Sequence, residues 1–198
     1  LPSNSVLKLT EWFKESCDSG SLIDYLKTFD HTIAVMQREK DIVRIAREAV
    51  QDLASDGVIY AEVRVAPEHF TKRGLSMEAV TEAMLEGYRL GEIDTGLKVN
   101  TILCAMRQED KAQEVAELVV KYRDKGVVSF DIAGPEKGYA PTLHRQSFEY
   151  LRRNEIPFTI HAGEADGPES IDLAINACGA KRIGHGITQW KNCKSGPR

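Results

Sequence analysis

From residue 58 onward the chain alternates two hydrophobic periodicities, and no other feature limits its fold as sharply. Short runs rich in apolar and β-branched residues fall at 58–65 (VIYAEVRV), 99–106 (VNTILCAM), 127–132 (VVSFDI), 157–160 (PFTI) and 182–184 (RIG). Each predicts a buried strand. Around them, apolar residues recur at helical spacing. Segment 42–53 sets Ile42, Ile45, Ala46, Ala49, Val50 and Leu53 on one face, and Asp56-Gly57 ends it. Segment 77–90 opens after Ser76 with Glu78 and Glu82 in its early turns. Segment 112–122 aligns Val115, Leu118, Val119 and Tyr122. Segments 141–151 and 168–178 each begin with a proline, whose fixed φ suits a first helical turn, and Gly179 closes the second.

Strands joined by helical crossovers run parallel, because a crossover returns the chain to the edge where the previous strand began. Two arrangements meet that requirement: an open doubly wound sheet and a closed barrel. The nucleotide-binding doubly wound sheet has a glycine-rich turn after its first strand, but here Val65 is followed by Ala66-Pro67-Glu68-His69. A GxxxxGK[ST] phosphate loop is also missing from the sequence. Polar residues instead gather at successive strand ends: Glu62 and Arg64, Arg107, Asp131 and Gly134, His161 and Glu164, and His185. A (β/α)8 barrel builds its active site this way, from the carboxyl ends of several strands. The expected fold is therefore α/β, a partial (β/α)8 barrel with about five of its eight parallel strands present. Residues 1–187 are expected to form one domain and 188–198 an atypical polar tail.

With 42% hydrophobic residues the chain has enough apolar material for a core. Its 26 basic and 30 acidic residues leave no electrostatic footprint for nucleic acid. No apolar run approaches the roughly 20 residues of a membrane span, so the expected partner is a small molecule, not a nucleic acid or a membrane. The four cysteines, Cys17, Cys104, Cys178 and Cys193, show neither zinc-knuckle spacing nor disulfide-scaffold density. They read as reduced thiols, and with no targeting segment visible the expected location is the cytoplasm.

Chemistry concentrates in Thr159-Ile160-His161-Ala162-Gly163-Glu164-Ala165-Asp166-Gly167-Pro168. A histidine leaves an apolar strand, two small residues let the backbone pass close to a ligand, and a glutamate follows before a helix begins. Arg182-Ile183-Gly184-His185-Gly186 repeats the layout, with a histidine between two glycines. Taken alone, His161 reads equally well as a hydrogen-bonded core histidine. Two such histidines at consecutive strand ends, with Glu164 between them, point to metal-assisted hydrolysis.

These motifs, HAGEADGPESI followed by RIGHG, resemble the adenosine deaminase family of metal-dependent amidohydrolases. The resemblance extends to DIAG (131–134), GVIYAEVR (57–64) and LCAMR (103–107), and covers roughly residues 21–187. It implies a zinc enzyme that deaminates adenosine, and 2′-deoxyadenosine, in purine salvage. By the same resemblance His161 matches a zinc ligand, and Glu164 the acid that protonates the ring nitrogen beside the attacked carbon. His185 matches the histidine that orients and helps deprotonate the metal-bound water, and Gly134 the glycine whose N–H meets another ring nitrogen. Met106 and an apolar helix carrying Leu22, Tyr25, Leu26 and Phe29 match the wall of the nucleoside pocket; without the family, that helix reads as a core-facing stripe.

The sequence also departs from the family's pattern. The family takes two further metal-binding histidines from an H-x-H and an aspartate from an Asp-Asp pair, and this sequence has neither. His31, His69 and His144 match no ligand position. The expectation is a chain shortened at both ends that alone binds zinc weakly, is inactive and is poorly soluble, since an open part-barrel leaves strand edges bare. Adenine or AMP deaminase of the same superfamily, or a non-catalytic relative, are the alternatives.

Overall fold

In the computed structural model, residues 2–187 are described, and they fold as five parallel strands with helices between them. Four helices come first: α1 (Val6–Cys17), α2 (Leu22–Lys27), α3 (Phe29–Ala34) and α4 (Glu39–Ser55). Then follow β1 (Tyr60–Val65), α5 (Met77–Thr95), β2 (Lys98–Met106), α6 (Ala112–Tyr122), β3 (Val127–Ala133), α7 (Arg145–Arg153), β4 (Thr159–Ala162), α8 (Pro168–Asp172) and β5 (Arg182–His185). The tail expectation for 188–198 lies outside the described residues.

Strands β1, β2 and β3 pair in parallel, as do β4 and β5. The two groups meet where Phe130 on β3 forms a parallel bridge to Phe158 and its N–H donates to the Pro157 carbonyl at 3.2 Å. The strands therefore lie side by side in chain order. A doubly wound sheet would reverse direction partway; sequential parallel order is that of a (β/α)8 barrel, and five of its strands are here.

The helical stripes bury the faces the periodicity selects. Ile42, Ala46 and Val50 of α4 and Val115, Leu118, Val119 and Tyr122 of α6 join the core. Truncating such a side chain to alanine costs roughly 2–5 kcal/mol. The Ser76 hydroxyl caps α5 by accepting from the Ala79 N–H at 3.1 Å. This helix runs past residue 90 to Thr95, where Gly96, at φ 77°, ends it.

Several elements differ from expectation: β1 and β4 start two residues later than their apolar runs, and β1 and β5 are not buried strands, since only Val65 of β1 and no residue of β5 is buried. The apolar segment carrying Leu22, Tyr25, Leu26 and Phe29 is two short helices, not one. The Thr28 hydroxyl donates to the Tyr25 carbonyl at 2.7 Å, a back-bond that bends helices, and α3 begins at Phe29. Segment 141–151 opens as a 3₁₀ turn, Pro141–His144, before α7 starts. The helix from Pro168 changes at Leu173–Ala177 to a π turn, with the Cys178 N–H reaching back to the Leu173 carbonyl. Such single π turns recur at functional sites. Among the described residues no helix is long and apolar enough to cross a membrane. Cys104 and Cys178 are buried free thiols, and Cys17 is a free thiol on the surface.

Candidate active site

The ends of β3, β4 and β5 bring together the residues that the motifs single out. His161, on β4, is mostly buried, and its ring lies 5.1 Å from that of His185, centroid to centroid. The His185 Nε2 stands 3.5 Å from Glu164 Oε1. Imidazole, carboxyl and imidazole thus share one locus.

Local sequence makes this approach possible. The His161 ring sits over Gly184, where an added Cβ would come 2.9 Å from Nδ1 and 3.0 Å from Cγ. Any side chain at 184 would push the ring away. His185 itself adopts φ 65°, a left-handed conformation rare outside glycine. It is held there by β5 pairing on one side and, on the other, by the Gly186 N–H donating to the Ala162 carbonyl at 2.9 Å. Residues kept in such conformations cluster at active sites.

Behind His161 stands a fully buried carboxylate, Asp131 on β3. Its Oδ1 and Oδ2 lie 3.2 and 3.0 Å from His161 Nδ1, and Oδ1 accepts from the Ile132 N–H at 2.7 Å. Arg64 on β1 forms an ion pair with the same carboxylate. A carboxylate on Nδ1 fixes the ring's tautomer and turns Nε2 outward, as carboxylate partners do for metal-binding histidines. Arg107, almost wholly buried at the end of β2, donates one guanidinium N–H to the His161 carbonyl and another to that of Tyr139 at 3.4 Å. Its own carbonyl meets His144 Nε2 at 2.9 Å. Burial holds the Arg107 guanidinium below its usual value, against the raising pull of Glu136 and Asp131.

A cavity of about 680 Å³ opens beside the strand ends. Leu26, Phe29, Met106 and Gly134 line it, together with Arg64 and Gln108. Leu22 and Tyr25 are not in its lining, although the Tyr25 ring meets that of Phe29 at 5.2 Å. Gly134 adopts φ 102°, a backbone conformation that strains any residue with a Cβ, and the movable ends of the Gln108 and Met106 side chains lie close to it. His161, Glu164 and His185 do not line the cavity either; Arg64, through Asp131, joins it to His161. A larger groove of about 880 Å³ runs along the outside of α4, but its arginines Arg38, Arg44 and Arg47 are paired with Asp41, Glu48 and Asp94, and His161, Glu164 and His185 are not in its lining.

Among the described residues no three His, Cys, Asp or Glu side chains are grouped to hold a metal ion. A catalytic zinc site needs three or more protein ligands. His161 fits as one donor, with its tautomer prepared, but the described residues do not complete a site.

Fold and motif placement together define part of an amidohydrolase-type (β/α)8 barrel, with five of its strands. The profile of the adenosine deaminase family matches residues 1–194, and the chain belongs to that family. An adenosine deaminase of Streptomyces coelicolor is 52% identical over 94% of this chain and 48% of its own length. An adenine deaminase of Arthrobacter aurescens superposes with a TM-score of 0.84 at 23% identity, over 97% of this chain and 58% of that one, and so shows the fold. A zinc-bound amidohydrolase of Burkholderia ambifaria gives 0.69 at 25% identity, over 79% of this chain and 44% of that one. The chain spans about half the length of the curated relatives it matches.

Three residues around the site carry no role in the sequence reading. Asp131 and Arg107 had a weak signal, as charged residues at strand ends. Glu136 had none beyond its place two residues after DIAG.

Proposed function

We propose that this chain serves the hydrolytic deamination of adenosine to inosine, and of 2′-deoxyadenosine to 2′-deoxyinosine, with release of ammonia, a purine-salvage reaction, with residues 1–187 as one barrel-type domain. The convergence of His161, Glu164 and His185, in a member of this family, carries the reading. Attack on the purine C6 breaks ring aromaticity, so electron density moves to the neighbouring ring nitrogen. A proton delivered there by Glu164 neutralises it. His185 orients the attacking water and takes up its proton. The Gly134 N–H binds a second ring nitrogen, and Met106, Leu26 and Phe29 supply an apolar wall that Tyr25 braces through Phe29; Leu22 lies outside it. His161 would be this segment's ligand to a zinc ion, which in such enzymes supplies a water acidified to a pKa of about 7. Free thiols at Cys17, Cys104 and Cys178 go with a cytoplasmic setting.

The test grafts this segment into the frame of the 52%-identical Streptomyces coelicolor relative. The graft should turn over adenosine in preference to adenine and AMP. Within it, Glu164→Gln should lower kcat about 10²–10⁴-fold, the usual contribution of a general acid, with metal content unchanged. A graft without adenosine turnover, or full turnover by the Gln variant, would sink the reading.

A further inference from the structure

The loop that carries Glu164 is held almost entirely by one side chain from elsewhere in the chain. Glu136 follows β3 by three residues and is 3% exposed. Its Oε1 accepts from the Gly163 N–H at 2.6 Å and from the Ser170 hydroxyl at 2.6 Å. Its Oε2 accepts from the N–H groups of Glu164, Ala165 and Asp166 at 2.9, 2.6 and 2.9 Å. Four successive amides therefore turn inward on one carboxylate, forming an anion nest made by the chain for itself. Burial alone would raise the Glu136 carboxyl, but the hydrogen bonds from Ser170 and the loop amides outweigh it and hold the group below its ordinary value.

A loop of this kind needs such an anchor. Between the end of β4 at Ala162 and the start of α8 at Pro168, none of these four amides joins a sheet ladder or a helix. Gly163 is buried and Glu164 half-buried, so without this acceptor their N–H groups would be left as poorly hydrated, unpaired donors, while the more exposed Ala165 and Asp166 amides complete the turn around it. A carboxylate offers about four lone-pair sites and no donor, so it satisfies the set where a neutral side chain cannot.

We propose that Glu136 is a positioning residue, whose carboxylate ties the backbone of residues 163–166 to the end of β3 and so fixes where the Glu164 side chain stands. The proposal rests on the deaminase reading for what Glu164 then does. It makes its own claim about geometry. Hydrogen bonds to a charged acceptor are shorter and roughly twice as strong as those between neutral groups. Glutamine at 136 has the same shape, but in either amide orientation its NH₂ group faces amide donors.

The test has two arms. In the 198-residue chain, amide exchange is measured by NMR for the native sequence, Glu136→Gln and Ser170→Ala. In Glu136→Gln the amides of Gly163, Glu164, Ala165 and Asp166 should exchange about 10–100-fold faster, while Leu103 on β2 keeps its protection. Ser170→Ala, which removes one donor and leaves all four amide bonds, should accelerate them by less than about tenfold. In the graft used above, Glu136→Gln should lower kcat tenfold or more with KM changed less than about threefold. Unchanged exchange at the four amides, loss of protection throughout the chain, or an unaltered kcat would each overturn the proposal. An inactive native graft would defeat the deaminase reading alone, since the exchange arm still decides whether Glu136 holds the loop.

Discussion

At the carboxyl ends of β3, β4 and β5, buried carboxylates hold the structure in place: Glu136 takes five hydrogen bonds and Asp131 braces His161. At the other end of the chain, α1 contains no buried residue, and Val6 and Leu7 are 79% and 77% exposed. Its aromatic contacts are slight, with Trp12 meeting His31 at 5.3 Å. The contrast separates two ways of making secondary structure persist. Buried polar groups allow few arrangements, because every alternative leaves a charge or an amide unpaired. A helix held by propensity and exposed contacts tolerates change in almost any direction.

The sharpest way to break this contrast is Asp131→Ala. It strips both His161 Nδ1 and the Ile132 N–H of their acceptor, and a buried donor left without a partner costs about 1–3 kcal/mol. Arg64, whose side chain is 40% exposed, loses little by comparison, so the expected loss is about 3 kcal/mol in urea unfolding of the chain. A loss under 1 kcal/mol would show the carboxylate to be dispensable.

Gly184→Ala comes next. A methyl 2.9 Å from His161 Nδ1 should cost about 1–3 kcal/mol and shift the His161 ring resonances. Wild-type ring shifts would mean that the two strand ends are not as closely apposed as described.

Glu68 gives a pH-dependent version of the same comparison. Its carboxyl accepts from the Met106 N–H at 2.6 Å, yet burial pushes it up from 4.5 to about 7. A carboxyl raised on folding lends stability that is complete below about 4.5 and is lost as pH climbs through 7. Glu68→Gln keeps an acceptor for Met106 and removes that titration. It should therefore be more stable than the native chain at pH 8.5, by about 1 kcal/mol once partial solvent screening is allowed for, and no better at pH 5. Equal gains at both pH values would contradict the assignment.

The smallest effect is expected at Leu7→Ser on α1, within about 0.5 kcal/mol in the same unfolding experiment. A loss there as large as that of Gly184→Ala would erase the distinction between the two regions.

Much of the fold was readable in advance because it depends on periodicity. The stripe Val115, Leu118, Val119 and Tyr122 needed only helical spacing to be assigned to the core, and all four are buried. The 3₁₀ start of segment 141–151 and the break at Thr28 were not readable. Each depends on one hydrogen bond choosing between nearly equal backbone states, Leu143 N–H to Ala140 and Thr28 hydroxyl to Tyr25. Around the site, His161, Glu164 and His185 were visible because their flanking small residues mark close backbone passage. Asp131 and Arg107 were visible only as polar residues at strand ends and Glu136 not at all, since an acidic or basic residue near a strand end looks the same whether it is solvated or buried against a loop about thirty residues away.

Sequence by itself determined the alternation of strands and helices, their parallel sense and the type of residue offered at each strand end, because these follow from local spacing and from the short reach of a crossover. Only the tertiary structure decided which of those polar groups meet. Burial removes water as a partner, so the Glu136 carboxylate and the amides of 163–166 must find one another across the sheet, and that requirement has no local signature.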